Sequence, residues 1–154
     1  MVGSNKSNTC PCGSSQNLQL CCGQYIYHGH QPPTAEALMR SRYTAYTLAE
    51  IDYIEQTMRG AAAKDFDPQS AKQWARAVCW LGLSIVQSQH STVTFLAKYS
   101  IDGQLHTIYE TSQFDMHDGA WVYLSGKTPS LSRNAACPCG SGLKSKRCCF
   151  STSH

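Results

Sequence analysis

The sequence lacks several patterns that identify whole classes of protein. No apolar run is long enough to span a bilayer, and the N-terminus has no apolar region of the signal-peptide kind. A phosphate-binding loop, a dinucleotide fingerprint and the Ser–His–Asp order of a hydrolase triad are all missing. We therefore expect a cytoplasmic protein, and no catalytic motif indicates an enzyme.

Charge is also scarce, since only 15% of the residues are Asp, Glu, Lys or Arg. Both ends of the chain lack acidic side chains, because all of these lie between residues 25 and 132. Residues 133–149 instead carry a local basic cluster formed by Arg133, Lys144, Lys146 and Arg147. This cluster favours contact with an acidic partner, although the net charge of the chain is only +3.

Cysteine, in contrast, is abundant, with nine residues in the chain. Eight of them form two copies of one signature, a Cys-x-Cys followed after eight residues by a Cys-Cys pair. The copies consist of Cys10, Cys12, Cys21 and Cys22, and of Cys137, Cys139, Cys148 and Cys149. Four thiolates presented by a short loop match the ligand set of a closed structural zinc site. The signatures therefore predict two zinc ions per chain, with iron as the alternative metal.

Other interpretations of the cysteines stay open at this point. A secreted chain would hold the same residues as disulfides. Oxidation that ejects the metal would make the clusters a thiol redox switch. His28 or His30 would offer a substitute ligand for Cys22. The ninth cysteine, Cys79, lies in an apolar run, which predicts a buried and inert thiol.

The segment between the two signatures is long enough to form one hydrophobic core. Its apolar periodicity predicts helices over 34–49 and 51–59, a third helix that begins at Asp67-Pro68, and strands over 81–89, 91–101, 104–116 and 120–125. Asp102-Gly103 and Asp118-Gly119 are hairpin turn signals between these strands. The predicted fold class is α+β, with three helices packed on a curved four-stranded antiparallel sheet. The predicted domains are 1–24, 25–130 and 131–154.

The cysteine signatures resemble the SEC-C motif, a short zinc module named from the C-terminal tail of the SecA translocation ATPase. The second copy is the closer match and reads Cys137-Pro138-Cys139-Gly140-Ser141-Gly142 before Cys148-Cys149. In the first copy Ser15 replaces a glycine and the basic residues are missing. The resemblance implies that all eight cysteines listed above are metal ligands.

The resemblance extends over the whole chain to the bacterial YchJ family. It is carried by Met39–Tyr46 in the first predicted helix, Trp80–Leu83 after the third, and Gly119–Tyr123 near the end of the middle segment. It implies a middle domain of the nuclear-transport-factor-two-like fold, a cone of helices over a curved sheet. The activity of that family is uncharacterised. The related SecA tail binds the SecB chaperone and associates with ribosomes, which implies a partner in the secretion or translation machinery.

A candidate ligand pocket lies inside this cone. Arg42 falls on the apolar stripe of its helix, and a buried guanidinium needs a partner. His106 and Glu110 share one strand face, and Tyr46 lies close to the Arg42 stripe. Arg42, Tyr46, His106 and Glu110 are therefore candidate ligand-binding residues, with His106 or Glu110 as an acid–base group. The competing interpretation is a structural ion pair between Arg42 and Glu110.

Three functions follow from these patterns. We favour a zinc-binding, non-catalytic interaction protein that docks an acidic protein surface or, less strongly, ribosomal RNA. The second is a small-molecule binder or enzyme that uses the cone. The third is the thiol redox switch.

Overall fold

The structure is a computed structural model that describes residues 8–151. Its helices are α1 (Cys22–Ile26), α2 (Ala35–Thr47), α3 (Ile51–Gln56), α4 (Gly60–Lys64) and α5 (Pro68–Ala77). Its strands are β1 (Cys79–Ser88), β2 (Thr92–Ile101), β3 (Gln104–His117) and β4 (Ala120–Lys127). Short 3-10 helices at Leu18–Leu20 and Ser145–Arg147 lie within the two cysteine segments. The predicted α+β class is confirmed, with α1 and α4 as two short additional helices.

Helix α2 supplies the helical side of the core. It begins after Thr34, whose hydroxyl accepts a hydrogen bond from the Ala37 N–H at 3.0 Å and so satisfies one of the unpaired amides of the first turn. Leu38 and Ala45 are fully buried on its inner face, and Arg42 lies between them. The prediction of a helix over 34–49 is confirmed to within two residues at its C-terminal end.

The remaining helices close the cone around α2. Asp67 caps α5 by accepting a hydrogen bond from the Gln69 N–H, and Pro68 occupies the first turn, as the sequence predicts. The second predicted helix is shorter than 51–59, because α3 ends at Gln56. The loop after α3 then pairs with β4, where the Arg59 N–H donates to Tyr123 O and the Tyr123 N–H donates to Thr57 O.

The four strands form one antiparallel sheet in the order β1-β2-β3-β4. Asp102-Gly103 and Asp118-Gly119 form tight turns in which all four residues have positive φ, which confirms both predicted hairpins. The register shifts between Trp80 and Gly82, between Ile85 and Gln87, and between Gln113 and Phe114. Bulges of this kind bend a strand and increase its twist, so they account for the curvature of the sheet.

The two faces of the sheet have different roles. The inner face presents Val93, Phe95, Ala97, Phe114 and Trp121 to the helices, and these residues belong to the main core. On the outer face the Thr94 and Thr111 hydroxyls hydrogen bond to each other across β2 and β3 at 2.8 Å. The outer face also receives the C-terminal cysteine segment.

Two details of the described chain complete the fold. Cys79 is exposed at the start of β1, so the prediction of a buried thiol is wrong. In the described range 8–151, no helix has both the length and the apolar character needed to cross a membrane.

The predicted domain boundaries remain a prediction. Helix α1 begins at Cys22 and ends at Ile26, so it crosses the predicted boundary after residue 24. The first seven residues of the predicted N-terminal module and the last three of the C-terminal one lie outside the described residues. Separate measurements of the stability of each part test the division.

Candidate metal centres and ligand cavity

The N-terminal cysteines are brought together by a tight turn and a helix junction. Cys10 and Cys12 flank the turn that leads to Gly13, whose φ of +86° is a conformation that glycine adopts without strain. Cys21 and Cys22 lie where the 3-10 helix ends and α1 begins. The four Sγ atoms all lie within 4.8 Å of one another. The local fold thus converts the sequence spacing into a compact sulfur cluster, called cluster N below.

The C-terminal cysteines repeat this geometry. Cys137 and Cys139 flank a turn into Gly140, which has φ +83°, and Cys148 and Cys149 follow the 3-10 helix Ser145–Arg147. These four Sγ atoms also lie within 4.8 Å of one another. The correspondence includes a serine hydroxyl, because Ser141 Oγ lies 3.2 Å from Cys148 Sγ just as Ser14 Oγ lies 3.2 Å from Cys21 Sγ. We call this group cluster C.

The sulfur separations fit a tetrahedral metal site. A Zn–S bond of about 2.3 Å in a regular tetrahedron requires sulfur atoms about 3.8 Å apart. The Sγ–Sγ distances are 3.6 Å for Cys12–Cys21 and 3.9 Å for Cys21–Cys22 in cluster N. In cluster C they are 3.4 Å for Cys139–Cys148 and 3.9 Å for Cys148–Cys149. These separations are far longer than a disulfide bond of about 2.05 Å. Both clusters could therefore bind a metal ion.

The electrostatics of the clusters favour a bound cation. Hydrogen bonds from Cys10 and Cys22 lower the pKa of Cys12 far below its ordinary value, whereas the same network raises the pKa of Cys22. In cluster C, hydrogen bonds from Ser141 lower the pKa of Cys139 to about 6, and burial raises the pKa of Cys149 to about 12. Each cluster therefore holds one thiol with a lowered pKa, Cys12 or Cys139, beside one with a raised pKa, Cys22 or Cys149. A divalent cation removes this conflict because it stabilises all four thiolates together.

Cluster N is embedded in the main body of the protein. Cys10, Cys12 and Cys22 are buried, and they pack against Ile26 and Leu83. Arg40 of α2 donates a hydrogen bond from Nη1 to Cys12 O at 2.6 Å, and it also forms the predicted i,i+4 ion pair with Glu36. The turn at Gly13 lies so close to β1 that a side chain there would lie 3.2 Å from Leu83 O. Cluster N is therefore integrated with both α2 and β1.

Cluster C lies on the outer face of the sheet and is more exposed. Thr107 of β3 donates a hydrogen bond to Cys149 O at 2.9 Å, and the Tyr109 and Phe150 rings lie 5.8 Å apart. Lys98 of β2 also interacts with Cys149, and this contact raises the pKa of Lys98. Among its four cysteines only Cys137 is fully buried. The contacts of cluster C with the sheet are thus fewer and more peripheral.

The histidines have no place in either cluster. Within the described chain, the groups of at least three His, Cys, Asp or Glu side chains able to hold a metal are clusters N and C alone. His28 and His30 are exposed, and Cys22 itself takes the position for which they were considered substitutes.

Inside the cone, a cavity of about 370 Å³ separates α2 from the sheet. Arg42, Tyr46 and Glu110 all line this cavity, together with Tyr43 and Trp80. His106 does not line it. That side chain is exposed and stacks on Tyr99 instead, with ring centroids 5.2 Å apart. The structure therefore brings together three of the four candidate ligand-binding residues.

The predicted ion pair between Arg42 and Glu110 does not form. The Nη1 group of Arg42 donates hydrogen bonds to Ile54 O at 2.9 Å and to Thr57 Oγ1 at 2.6 Å. The Arg42 guanidinium carbon also lies 4.6 Å from the centre of the Tyr123 ring. The last turn of α3 and Thr57, which follows the helix directly, supply neutral oxygen acceptors for Arg42. They take the place that the prediction gave to Glu110.

The sequence reasoning missed several residues that organise Glu110. Ser112 donates a hydrogen bond to Glu110 Oε2, and the Tyr123 hydroxyl lies 3.5 Å from the same oxygen. Gly126 lies opposite Ser112 on β4, and a Cβ atom at Gly126 would overlap the Glu110 carboxylate. A glycine inside a strand signals close approach by another group, but the strand predicted over 120–125 ends one residue before Gly126, which lies inside β4.

Comparison with known proteins places these features in a family. The family described as "YchJ, middle NTF2-like domain" matches residues 34–126, and the SEC-C motif matches residues 133–151. UPF0225 protein GSU1048 of Geobacter sulfurreducens is 38% identical over 158 residues, which cover 93% of this chain and 98% of that relative.

Two solved structures are similar. The solution structure of RPA3114, a SEC-C motif containing protein from Rhodopseudomonas palustris, matches with a TM-score of 0.72 and 31% identity, covering 79% of this chain and 99% of that one. The crystal structure of a SEC-C motif containing protein from Psychrobacter arcticus matches with a TM-score of 0.64 and 29% identity, covering 94% and 96% of the two chains.

Proposed function

Because the chain belongs to the YchJ family, with a nuclear-transport-factor-two-like middle domain and a SEC-C motif, we propose that it is a zinc-binding, non-catalytic interaction protein. The observation that carries the proposal is the pair of four-sulfur clusters, whose Sγ atoms lie within 4.8 Å of one another. Tetrahedral sets of four thiolates select zinc or iron, and closed sets of this kind are typical of structural zinc. The metal therefore stabilises a surface and takes no part in a reaction.

Elemental analysis tests the metal assignment. Protein purified anaerobically without chelator should contain two zinc ions per chain, and a Cys139→Ser variant should contain one. A thiol titration of the metal-loaded protein should detect the exposed Cys79 first, because metal binding protects the other cysteines. Iron in place of zinc, or paired disulfides without metal, would contradict the proposal.

The interaction role rests on the basic surface of the C-terminal segment, which comprises Arg133, Lys144, Lys146 and Arg147. Three of these side chains are exposed and Lys146 is half-buried. The ion pairs formed within the described residues are Glu36–Arg40 and His117–Asp118, so none of the four cations has an acidic partner in that part of the chain. Leu143 is 53% exposed beside Lys144. Charge complementarity therefore favours an acidic protein surface, which we propose belongs to the translation or secretion machinery.

Charge reversal tests this role. Lys144→Glu/Arg147→Glu should abolish co-sedimentation with purified ribosomes, and raising the salt concentration should weaken binding of the unmodified protein. The matched control is Lys72→Glu/Arg76→Glu, which makes the same charge change on the exposed face of α5. If both double variants bind equally, the basic surface is not the docking site. Equal binding of isolated ribosomal RNA would make nucleic acid the target instead.

A second candidate function, binding of a small molecule inside the cone, is favoured by one specific observation. The cone is not filled by side chains, and its cavity of about 370 Å³ lies within the usual range for small-molecule sites. Its lining combines aromatic rings with one cation, Arg42, and one carboxylate, Glu110. This is the composition expected for a ligand site with a few polar groups that fix orientation.

A further inference from the structure

The polar groups of the cone cavity indicate the chemical class of its ligand, an inference that rests on the second function proposed above. Arg42 is buried, and burial lowers its pKa. In the described chain, no carboxylate oxygen lies within 4.0 Å of its guanidinium nitrogens. Its hydrogen bonds go to two neutral oxygens and all come from Nη1. A buried cation with only neutral partners is stabilised further by an anion supplied from outside the chain.

Two more residues that carry donor groups, Trp80 and Tyr46, line the same cavity. The Trp80 indole N–H is buried and has no hydrogen-bond acceptor. The Tyr46 hydroxyl makes no hydrogen bond with any described residue, and burial raises its pKa, so it stays a protonated donor near neutral pH. Together with Nε and Nη2 of Arg42, these groups form a set of donors without acceptors. An ionised carboxylate, which only accepts hydrogen bonds, matches such a set.

Glu110 provides the opposite character in the same space. Its Oε2 atom accepts from Ser112 and lies near the Tyr123 hydroxyl, whereas Oε1 accepts no hydrogen bond from any described residue. The absent side chain of Gly126 leaves room for this carboxylate. Because Glu110 is held in place and yet is not paired with Arg42, it presents an acceptor to a ligand donor such as an ammonium group.

We propose that the cone cavity binds a small amino carboxylate whose carboxylate lies against Arg42, Tyr46 and Trp80 and whose ammonium group lies against Glu110. The apolar body of the ligand packs on the aromatic wall, where Trp80 makes edge contacts with Tyr43 and Trp74. The carboxylate of such a ligand supplies the anion that Arg42 lacks and accepts a hydrogen bond from the unpaired indole N–H of Trp80. Its ammonium group donates to the free Oε1 atom of Glu110. One molecule thus satisfies polar groups that the protein leaves unpaired.

Four probes that share a phenyl ring test the proposal by calorimetry or ligand-observed NMR. Phenylalanine carries both charges, and 3-phenylpropanoate carries the anion alone. The third probe, 2-phenylethylamine, carries the cation alone, and 3-phenylpropanol carries neither charge. Phenylalanine should bind at least about tenfold more tightly than the neutral alcohol. Equal binding of all four would show that the cone is an apolar site and overturn the amino carboxylate assignment. If none binds, the second proposed function, small-molecule binding in the cone, fails together with the amino carboxylate assignment, and the zinc-binding role is unaffected.

Conservative variants separate the two ends of the ligand without removing the structural hydrogen bonds of Arg42. Tyr46→Phe removes only a donor, so it should weaken phenylalanine and 3-phenylpropanoate several-fold and leave 2-phenylethylamine unchanged. Glu110→Gln should weaken phenylalanine and the amine but not the carboxylate. Glu55→Gln, on the exposed side of α3, is the control and should change nothing. If Tyr46→Phe weakens the amine as much as the carboxylate, the assigned orientation is wrong.

Discussion

Gly126 illustrates how one missing side chain shapes the cavity. Its would-be Cβ position coincides with the Glu110 carboxylate, so Gly126→Ala should push that carboxylate away from Ser112. Overpacking of this kind costs about 1–3 kcal/mol of unfolding free energy. Urea denaturation measures the loss, and the matched control is the same substitution in a Glu110→Ala background, where the obstructing group is gone. A cost that persists undiminished in that background would show that the steric argument is wrong.

Buried tyrosines predict a decline in stability at high pH. Burial raises the pKa of Tyr43, Tyr53 and Tyr123 to about 12, whereas the ordinary value is 10.0. Because the folded-state pKa is the higher one, their stabilising contribution is complete below pH 10, falls as pH rises from there and is lost once pH passes about 12. Each tyrosine contributes up to about 1.4 kcal/mol per pH unit in that window.

Tyrosinate absorbance and urea midpoints, both followed across this window, check the tyrosine prediction. Tyr53 donates to or accepts from the Ser41 hydroxyl at 2.7 Å in the core, so Tyr53→Phe removes one late titration. The variant should show a shallower alkaline loss of stability. Three tyrosines that instead ionise together near their ordinary pKa would contradict the burial argument.

At the scale of the element, the start of α2 is held by a single hydroxyl. Thr34→Ala removes the hydrogen bond to the Ala37 amide and should lower the unfolding free energy by about 1 kcal/mol. Thr34→Ser keeps the hydroxyl and is the control, with nearly unchanged stability in urea. Because α2 also carries Arg40 and Arg42, fraying of its first turn should reach both cluster N and the cavity. Equal stability of the two variants would mean that water replaces the cap at no cost.

Local patterns explain why most elements and both clusters could be predicted. The four cysteines of each cluster fall within thirteen residues, and each hairpin turn is marked by an Asp-Gly pair. These features could therefore be predicted without knowledge of contacts between distant parts of the chain. The period-2 alternation of β3 also predicts the shared face of His106 and Glu110. That strand is longer than the cavity is wide, however, so His106 lies beyond the rim against Tyr99. Alternation identifies a face of the sheet but does not locate the cavity along it.

The predictions for the partner of Arg42 and for the burial of Cys79 were wrong because both depend on tertiary contacts. Arg42 lies on the predicted buried stripe, but its partners are Ile54 O in the last turn of α3 and Thr57 just after it. The periodicity of one helix does not describe how it packs against the end of another. Cys79 lies in an apolar run, yet it begins the edge strand β1, close to the register shift between Trp80 and Gly82. Leu81 of the same run is also exposed, at 53%. Edge strands and bulges break the link between an apolar run and burial. Both errors therefore arose where non-local packing overrides local pattern.

For the whole molecule, the two clusters are attached to the same sheet in different ways. Cluster N is buried against α2 and β1, and Arg40 bonds directly to its backbone. Cluster C meets the outer face mainly through the Thr107 hydrogen bond and the Tyr109–Phe150 contact. Metal binding contributes directly to folding free energy wherever the site is part of the core. Loss of metal at the two ends should therefore have unequal consequences.

Cysteine substitutions test this asymmetry. Cys139→Ser should unfold the C-terminal module and leave the melting temperature of the middle domain nearly unchanged, whereas Cys12→Ser should lower that temperature by about 10 °C or more. Calorimetry gives the transitions, and amide hydrogen exchange of α2 and β1 shows whether protection is lost with Cys12→Ser alone. Cys79→Ser, which changes an exposed cysteine outside both clusters, is the control. Two similar losses would mean that both modules fold as parts of one cooperative unit, and the division at residues 24 and 130 would then fail. The expected inequality would instead make cluster N a structural part of the cone and leave cluster C, with its basic surface, as a separately stabilised module.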